Sequence, residues 1–401
     1  MHGMGERQLK AALDVVPLAD AIERVVRRDG SPVHLHEPEL GNREIELLSE
    51  TIHSGWVSSG GKFVERFEEI VAEYSGVKHA IATVNGTTAL HAALLVAGVQ
   101  PNDEVLVPAI TFVATVNAIS HAQAVPHFAD SSWQTLGLDP EALDRHLEAT
   151  TELRGGELIN RQTQRPIRAL LPVHVFGMPI DVDGILAVAA KYQLPVIEDA
   201  AEAIGSHYQN GMCGSFGRCA TLSFNGNKII TTGGGGMLLT NDADVAKKAR
   251  HLTTTAKQPH AWEFYHDEVG YNYRLPNLNA ALGCAQMERI DDFIAAKRRL
   301  TEQYVAVFRN FDQAHIVTEP SGSFSNYWLN TLVLDASDSK TRDDLLRELH
   351  RRKIFARPVW TPMHQLPMYS GCPRAPLPVA EDIFTRCVSL PSSPKLAGVT
   401  A

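Results

Sequence analysis

The sequence predicts an α/β fold, with a mostly parallel sheet between helices and a smaller α/β domain at the C-terminus. Two patterns carry this expectation. From about residue 79 to 240, short apolar runs of strand length alternate with helical stretches, as βαβ units require. After Tyr273 the alternation stops, and a long helical stretch from Asn277 to Phe308 leads to one more apolar run and a Pro-rich tail. The expected organisation is a helical extension over 1–30, a large domain over 31–275 and a small domain over 276–401.

In the extension, Leu9, Leu13 and Val16, then Ile22, Val25 and Val26, fall near helical spacing, with Pro17 as an interruption. Residues Lys62 to Tyr74 place Phe63, Phe67, Ile70 and Tyr74 on one stripe opposite Glu and Arg, a helix that packs on a core. Strands are expected at HAIATV, EVLVP, AVPHFAD, ALLPVHVF, LPVIED, TLSF and MLLT. Helices are expected from Thr87, after Thr111, from Asp183 and from Ala200. Further on, WLNTLVL reads as a strand and the segment from Thr341 as a helix. Ligands of such sheets gather outside the carboxyl ends of the strands, so the residues at those ends matter most.

Composition narrows the function classes. With 401 residues, 44% hydrophobic and 21% charged, the chain can bury a substantial core. Its first thirty residues contain no unbroken apolar segment of the secretory kind. The apolar run AALLVAGV at 92–99 is far short of the roughly 20 residues a membrane helix needs, so a cytoplasmic location is expected. A net charge of −9 argues against a nucleic-acid partner, which needs clustered Lys and Arg. Five scattered cysteines without a C-x-x-C pair argue against a disulfide framework and against a zinc site, and no metal is expected. His34 and His36 in VHLHEP share one strand face, a pattern more typical of packed or surface groups than of ligands.

Four features at strand ends carry chemistry, each with a plainer structural explanation. In NGTTAL, Gly86 and Thr87 open a helix whose free N–H groups suit a phosphate, although Thr87 would equally serve as a cap. In PAITFVAT, Phe112 follows a strand and could stack on a flat ring or simply belong to the core. In LPVIEDAAEAIG, Asp199 could cap a following helix or hold a protonated ring nitrogen, with Glu202 one helical turn on. In LSFNGNKIITTGGGGM, Lys228 precedes four glycines, which let main chain approach a bulky group; alone, a loop lysine is a solvated charge. The glycines follow the lysine, unlike a nucleotide P-loop, and do not match the dinucleotide spacing. Phosphate cradle, ring stacker, acid and approachable lysine together describe a pyridoxal phosphate site, in which the lysine amine must be desolvated or otherwise activated.

At this point the chain resembles the DegT/DnrJ-type nucleotide-sugar aminotransferases, pyridoxal-phosphate enzymes of fold type I. The resemblance runs from about His34 to Leu396 and rests on GWVSSGGKFVERFE, NGTTALHAAL, PAITFVATVNAI, PVHVFGMPIDVD, VIEDAAEAIGSHY, CATLSFNGNKIITTGGGGML, GYNYRLPNLNAALG, ARPVWTPMH and LPSSPKL. It implies that Lys228 is the Schiff-base lysine and moves the protons. It implies that Asp199 pairs with the pyridine nitrogen, that Phe112 covers a ring face and that Gly86, Thr87 and Ser223 hold the phosphate. Glu202, where many relatives carry Gln, would lie near the ring hydroxyl, and Asn272 would reach the cofactor of the neighbouring subunit in a homodimer with shared active sites. L-glutamate is the implied amino donor and a nucleotide-linked keto sugar the acceptor.

The combination LHEP, GWVSSGGKFV and SFNGNKIITTGGGGM looks most like enzymes of the legionaminic acid and bacillosamine pathways, which aminate C4 of UDP-4-keto-6-deoxy-N-acetylglucosamine. Asn225, where many relatives carry His or Tyr, and Gly234, where many carry Glu, favour that subgroup. GDP-4-keto-6-deoxymannose is the competing sugar. Substrate contacts are expected at Trp56, Asn227, Arg274, Arg357 and His364, with packing or surface charge as the competing explanation for each. A sugar dehydratase on this fold is disfavoured by Lys228, since dehydrating relatives carry histidine there. A non-catalytic sugar-nucleotide regulator is the rival from another class.

Overall fold

In the computed structural model, which describes residues 14–26, 30–336 and 338–398, seven strands form the part of the central sheet that positions the site. They are β1 (His79–Thr83), β2 (Glu104–Pro108), β3 (Val125–Ala129), β4 (Pro166–Leu170), β5 (Ile197–Asp199), β6 (Cys219–Ser223) and β7 (Gly236–Thr240). Two ladders, β1-β7-β6-β5 and β4-β2-β3, join through the parallel bridges Leu170 to Val196 and Val173 to Asp199. Among these seven only β7 runs against the others, and an antiparallel hairpin, Thr151–Arg154 and Glu157–Asn160, extends the second ladder beyond β4. Every position of β2 and β7 is buried, as expected where helices cover both faces.

The ends of β1, β2, β5 and β6 therefore open on one edge. Two helices start there: α4 (Gly86–Val96) follows β1 and α5 (Val113–His121) follows β2. Upstream, the described chain holds α1 (Val16–Val26), α2 (Asn42–Ser54) and α3 (Lys62–Ser75). Of the expected stripe of α3, Phe63 and Phe67 are buried and Ile70 and Tyr74 pack partly buried against the same core, so the amphipathic reading of this helix holds.

A second sheet, wholly antiparallel, follows with β8 (Ala314–Ile316), β9 (Asn330–Leu334), β10 (Arg357–Pro358) and β11 (Cys387–Leu390) in the order β8-β9-β11-β10. Leu18 and Ile22 of α1 share its apolar cluster with Leu332, Leu345 and Val388. Arg352 fastens α1 from the other side, with Asp20 at 2.6 Å and Glu23 at 2.9 Å. Pro17 opens α1 instead of interrupting it: in the first turn its missing N–H has no intrahelical acceptor to lose. Leu9 and Leu13 lie outside the described residues.

Two expectations are corrected. The stretch Asn277 to Phe308 is two helices, α6 (Asn277–Met287) and α7 (Ile290–Phe308), not one. Ala281, Cys284 and Ala285 of α6 and Ile290, Phe293 and Ile294 at the start of α7 belong to the cluster of the central sheet, whereas Leu300 and Tyr304 belong to that of the second, so α7 itself carries the chain from one core to the other. The helix expected from Ala200 does not form. Its carbonyls are taken from elsewhere: Asn326 Nδ2 donates to Glu202 O at 2.9 Å and to Ile204 O at 2.8 Å, while Gly205 turns to φ +80. Local composition favoured helix, and a side chain 124 residues away overrode it.

Asn326 thus ties the segment after Asp199 to the start of β9. Asn326→Ala would strand two buried carbonyls at about 1–3 kcal/mol each, so urea unfolding should show a loss of about 2–5 kcal/mol. Met368→Ala, at an exposed site, should stay within about 0.5 kcal/mol.

Candidate active site

Along the open edge of the sheet lies a cavity of about 620 Å³, within the range of small-molecule sites. Each strand end supplies a group. Beyond β1, Asn85 caps α4 by accepting the Thr88 N–H at 2.8 Å. This leaves the N–H groups of Gly86 and Thr87 without intrahelical acceptors, at the positive end of the helix dipole. Ser223, at the end of β6, stands beside them: a Cβ on Gly86 would come within 2.9 Å of Ser223 Cβ. Gly236 is needed for the same cradle, since a Cβ there would lie 2.4 Å from the Asn85 carbonyl. Gly233, at φ +77, turns the chain into that approach.

At the end of β5 the adjacent acids Glu198 and Asp199 diverge, because successive strand residues face opposite sides. Glu198 is structural: it accepts N–H groups of Gly214, Phe216 and Gly217 at 2.7–2.9 Å and pairs with His174 at 3.0 Å. Asp199 faces the cavity, with Oδ1 accepting the Ala201 N–H at 3.0 Å and Oδ2 accepting the Thr115 hydroxyl at 2.7 Å. Thr111 Oγ1 lies 2.8 Å from Thr115 Oγ1, so the two hydroxyls form a short relay ending at the carboxylate. Burial pushes the Asp199 pKa up, opposed by these hydrogen bonds and by Lys228.

Lys228 reaches in from the loop after β6. Its Nζ is 3.1 Å from Glu202 Oε1 and 3.9 Å from the centre of the Trp328 ring, a cation–π distance. The Lys228 side chain is 11% exposed, so the solvated-charge explanation fails. Glu202 also accepts the Phe176 N–H at 2.9 Å, and its pKa too is raised by burial. Phe112 stands on the rim, 51% exposed, with its ring centre 6.2 Å from that of Trp360, so it is not a core residue.

The chain matches the model of the DegT/DnrJ/EryC1/StrS aminotransferase family over residues 38–401. It belongs to that family. GDP-perosamine synthase of Caulobacter vibrioides is 40% identical over 366 residues, covering 90% of this chain and 93% of that protein. GDP-perosamine synthase of Escherichia coli O157:H7 is 37% identical over 365 residues, covering 91% and 94%. A DegT/DnrJ/EryC1/StrS aminotransferase from Brucella abortus has a crystal structure that superposes with a TM-score of 0.80 at 29% identity, covering 89% of this chain and 94% of that one. The protein is a pyridoxal-phosphate-dependent sugar-nucleotide aminotransferase of fold type I.

The cavity fits that cofactor on its own terms. Two buried carboxylates, Asp199 and Glu202, face one ammonium, so the site calls for a further positive group beside Asp199, and a protonated ring nitrogen supplies one. The α4 cradle suits the phosphate. Of the residues expected from the sequence, Gly86, Thr87, Phe112, Asp199, Glu202, Ser223, Asn227, Lys228 and Arg357 line the cavity. Four do not. Trp56 is 65% exposed and presents its carbonyl to Asn277 at 2.6 Å; Asn272 is exposed and bridges Thr254. Arg274 lies 3.9 Å from Glu68, and His364 is buried 3.1 Å from Glu381. Sequence reasoning missed Thr115 and Trp328. The pair Thr111 and Thr115, one turn apart at a strand exit, was a readable signal for the first; Trp328 arrives from the second sheet with none.

Thr115→Val removes the hydroxyl that favours ionised Asp199 while keeping shape. With that bond gone the folded-state pKa of Asp199 rises further, so the loss of stability should grow as pH increases through the carboxyl's raised range, reaching about 1–3 kcal/mol. Urea denaturation of wild type and variant across pH checks this; a loss independent of pH contradicts it.

Proposed function

We propose that this enzyme transfers an amino group from L-glutamate to C4 of a GDP-linked 4-keto-6-deoxymannose, the perosamine-type reaction. The observation that carries this is the 40% and 37% identity to GDP-perosamine synthases across nine-tenths of both chains. It outweighs the short motifs that favoured a UDP-linked N-acetylglucosamine derivative, which becomes the second reading.

Pyridoxal phosphate, when bound, supplies an electron sink that acidifies the donor's Cα–H. The protein's residues do the rest. Lys228 Nζ, 3.1 Å from Glu202 Oε1, takes the Cα proton from the donor and returns a proton to the sugar carbon. Asp199, held by Thr115 and the Ala201 N–H, keeps the ring nitrogen protonated. Gly86, Thr87 and Ser223 anchor the phosphate, Phe112 covers a ring face, and Glu202 orients Lys228 and approaches the ring hydroxyl. Asn227 and Arg357 are the substrate contacts within this chain.

In this reading the enzyme is a cytoplasmic homodimer, in which Asn272 acts on the partner's phosphate. Its exposure suits that role, and Trp56 and Arg274 would serve from the same side. Among the described residues no helix is long and apolar enough to cross a membrane. Residues 31–275 form the cofactor domain and 276–401 the small domain, although α6 packs with the former.

Lys228→Ala should keep the fold by circular dichroism and lose turnover by about 100-fold or more. Parent-like turnover would remove Lys228 from the mechanism. The enzyme, given glutamate and a panel of GDP-, UDP- and dTDP-linked 4-keto sugars, should aminate the GDP sugar with the highest kcat/KM, as read by product mass. Preference for the UDP-linked N-acetyl sugar would restore the second reading.

A further inference from the structure

A second cavity, of about 400 Å³, opens beside the first and shares Asn227, Trp328 and Arg357 with it. Its other polar walls are His34 and His36. Sequence pattern assigned both histidines to packing or surface, and the structure separates them. His34 is exposed and stacks on Phe355 at 5.3 Å, which explains it. His36 is 9% exposed, and neither Nδ1 nor Nε2 has a hydrogen-bond partner among the described residues.

An unpaired buried polar group is expensive, at about 1–3 kcal/mol, and calls for an explanation. Backbone requirements do not supply one, because Leu35 already serves there: its carbonyl accepts the Ser392 N–H at 2.7 Å and so anchors this segment to the second sheet. The imidazole is left facing the cavity with nothing to bind. Burial, reinforced by Lys297 and Lys228, holds its pKa well below the usual value, so it waits as a neutral ring with one donor and one acceptor.

The other walls define the missing partner. Arg357 brings a permanent positive charge and no acceptor. Asn225 donates to Asn227 Oδ1 at 3.2 Å, which leaves the Asn227 amide hydrogens to donate elsewhere. Among the described residues no Asp or Glu lines the space. A cavity with donors, a cation and no acid selects an anionic oxygen group. Because it shares Leu35, Asn227, Trp328, Leu329 and Arg357 with the Lys228 cavity, whatever fills it extends from a molecule bound at Lys228.

We propose that the second cavity is the subsite for a carboxylate of the amino donor, with His36 donating a ring N–H to it beside Arg357. This makes His36 a determinant of donor choice. A dicarboxylic donor places its side-chain carboxylate there while its amino carbon stays at Lys228, and a donor without a side-chain carboxylate leaves His36 unpaired. The inference rests on Lys228 as the reacting amine. The same anionic chemistry could come from the diphosphate of the acceptor, so the test separates the two sources.

The test is calorimetric titration of the holoenzyme with glutarate, an unreactive dicarboxylate, and separately with guanosine diphosphate. His36→Ala should weaken glutarate binding about tenfold or more, the worth of one hydrogen bond to a charged group, and leave guanosine diphosphate within about twofold. His36→Gln, which keeps a donor, should recover part of the glutarate affinity and covers the case in which His36→Ala does not fold. Unchanged glutarate binding in both variants overturns the proposal, as does a loss confined to guanosine diphosphate. Glutarate binding does not depend on turnover. If it is His36-dependent while Lys228→Ala still transaminates, the subsite stands and the role of Lys228 falls.

Discussion

Two carboxylates and one ammonium, shut away from water, are the constraint around which this molecule is arranged. Asp199 and Glu202 are each at most 5% exposed, and the Lys228 ammonium stands against Glu202 at 3.1 Å. Such a group is tolerable only while every oxygen is engaged. The Thr115 hydroxyl and the Ala201 N–H engage Asp199, and the Phe176 N–H engages Glu202. The remaining charge imbalance is what makes the site receptive. In the proposed reading a ring nitrogen that carries a proton would be worth more beside Asp199 than in water, so the protein would set the cofactor's electronics before any substrate arrives.

The two sheets share the task of holding this arrangement. Parallel strands bring β1, β2, β5 and β6 to one edge, and this delivers the cradle, the rim aromatic, the acid and the lysine loop. The second sheet delivers the closing wall. Trp328 lies over Lys228 and donates its indole N–H to Asn227 O at 2.7 Å. Lys297, fully buried and driven toward neutrality by that burial, donates to Trp328 O and Ser392 O. Asn326 holds the segment that carries Glu202. One short stretch, 326–328, therefore couples the second sheet to the position of the Lys228 amine.

What could be read in the sequence was what is locally encoded. Strand, glycine and helix-start signals placed Gly86, Asp199 and Lys228 at strand ends, the family resemblance added Ser223, and the structure brings the four together. The helix expected from Ala200 failed because AEAIG carries helical propensity and no trace of Asn326, whose influence is purely tertiary. Pro17 was read as an interruption because a proline's meaning depends on which turn it occupies. Trp56, Arg274 and His364 were candidates by motif alone, and position in one chain separates them from Asn227 and Arg357. The sugar was the least legible feature, since a few loop residues pointed to one nucleotide while identity spread over the whole chain points to another.

The family segment begins at residue 38, yet the protein's apolar interior begins twenty residues sooner. Leu18, Ile22 and Val25 cover the side of Leu300, Tyr304 and Leu345 that the family segment alone would leave wet. At about 1.5–3 kcal/mol for each large aliphatic side chain, that single helix is worth as much as the margin by which many domains stay folded. A version trimmed to the family boundary would carry an adhesive patch on the back of its second sheet, remote from the chemistry, and would be expected to clump with correctly formed catalytic groups still inside it.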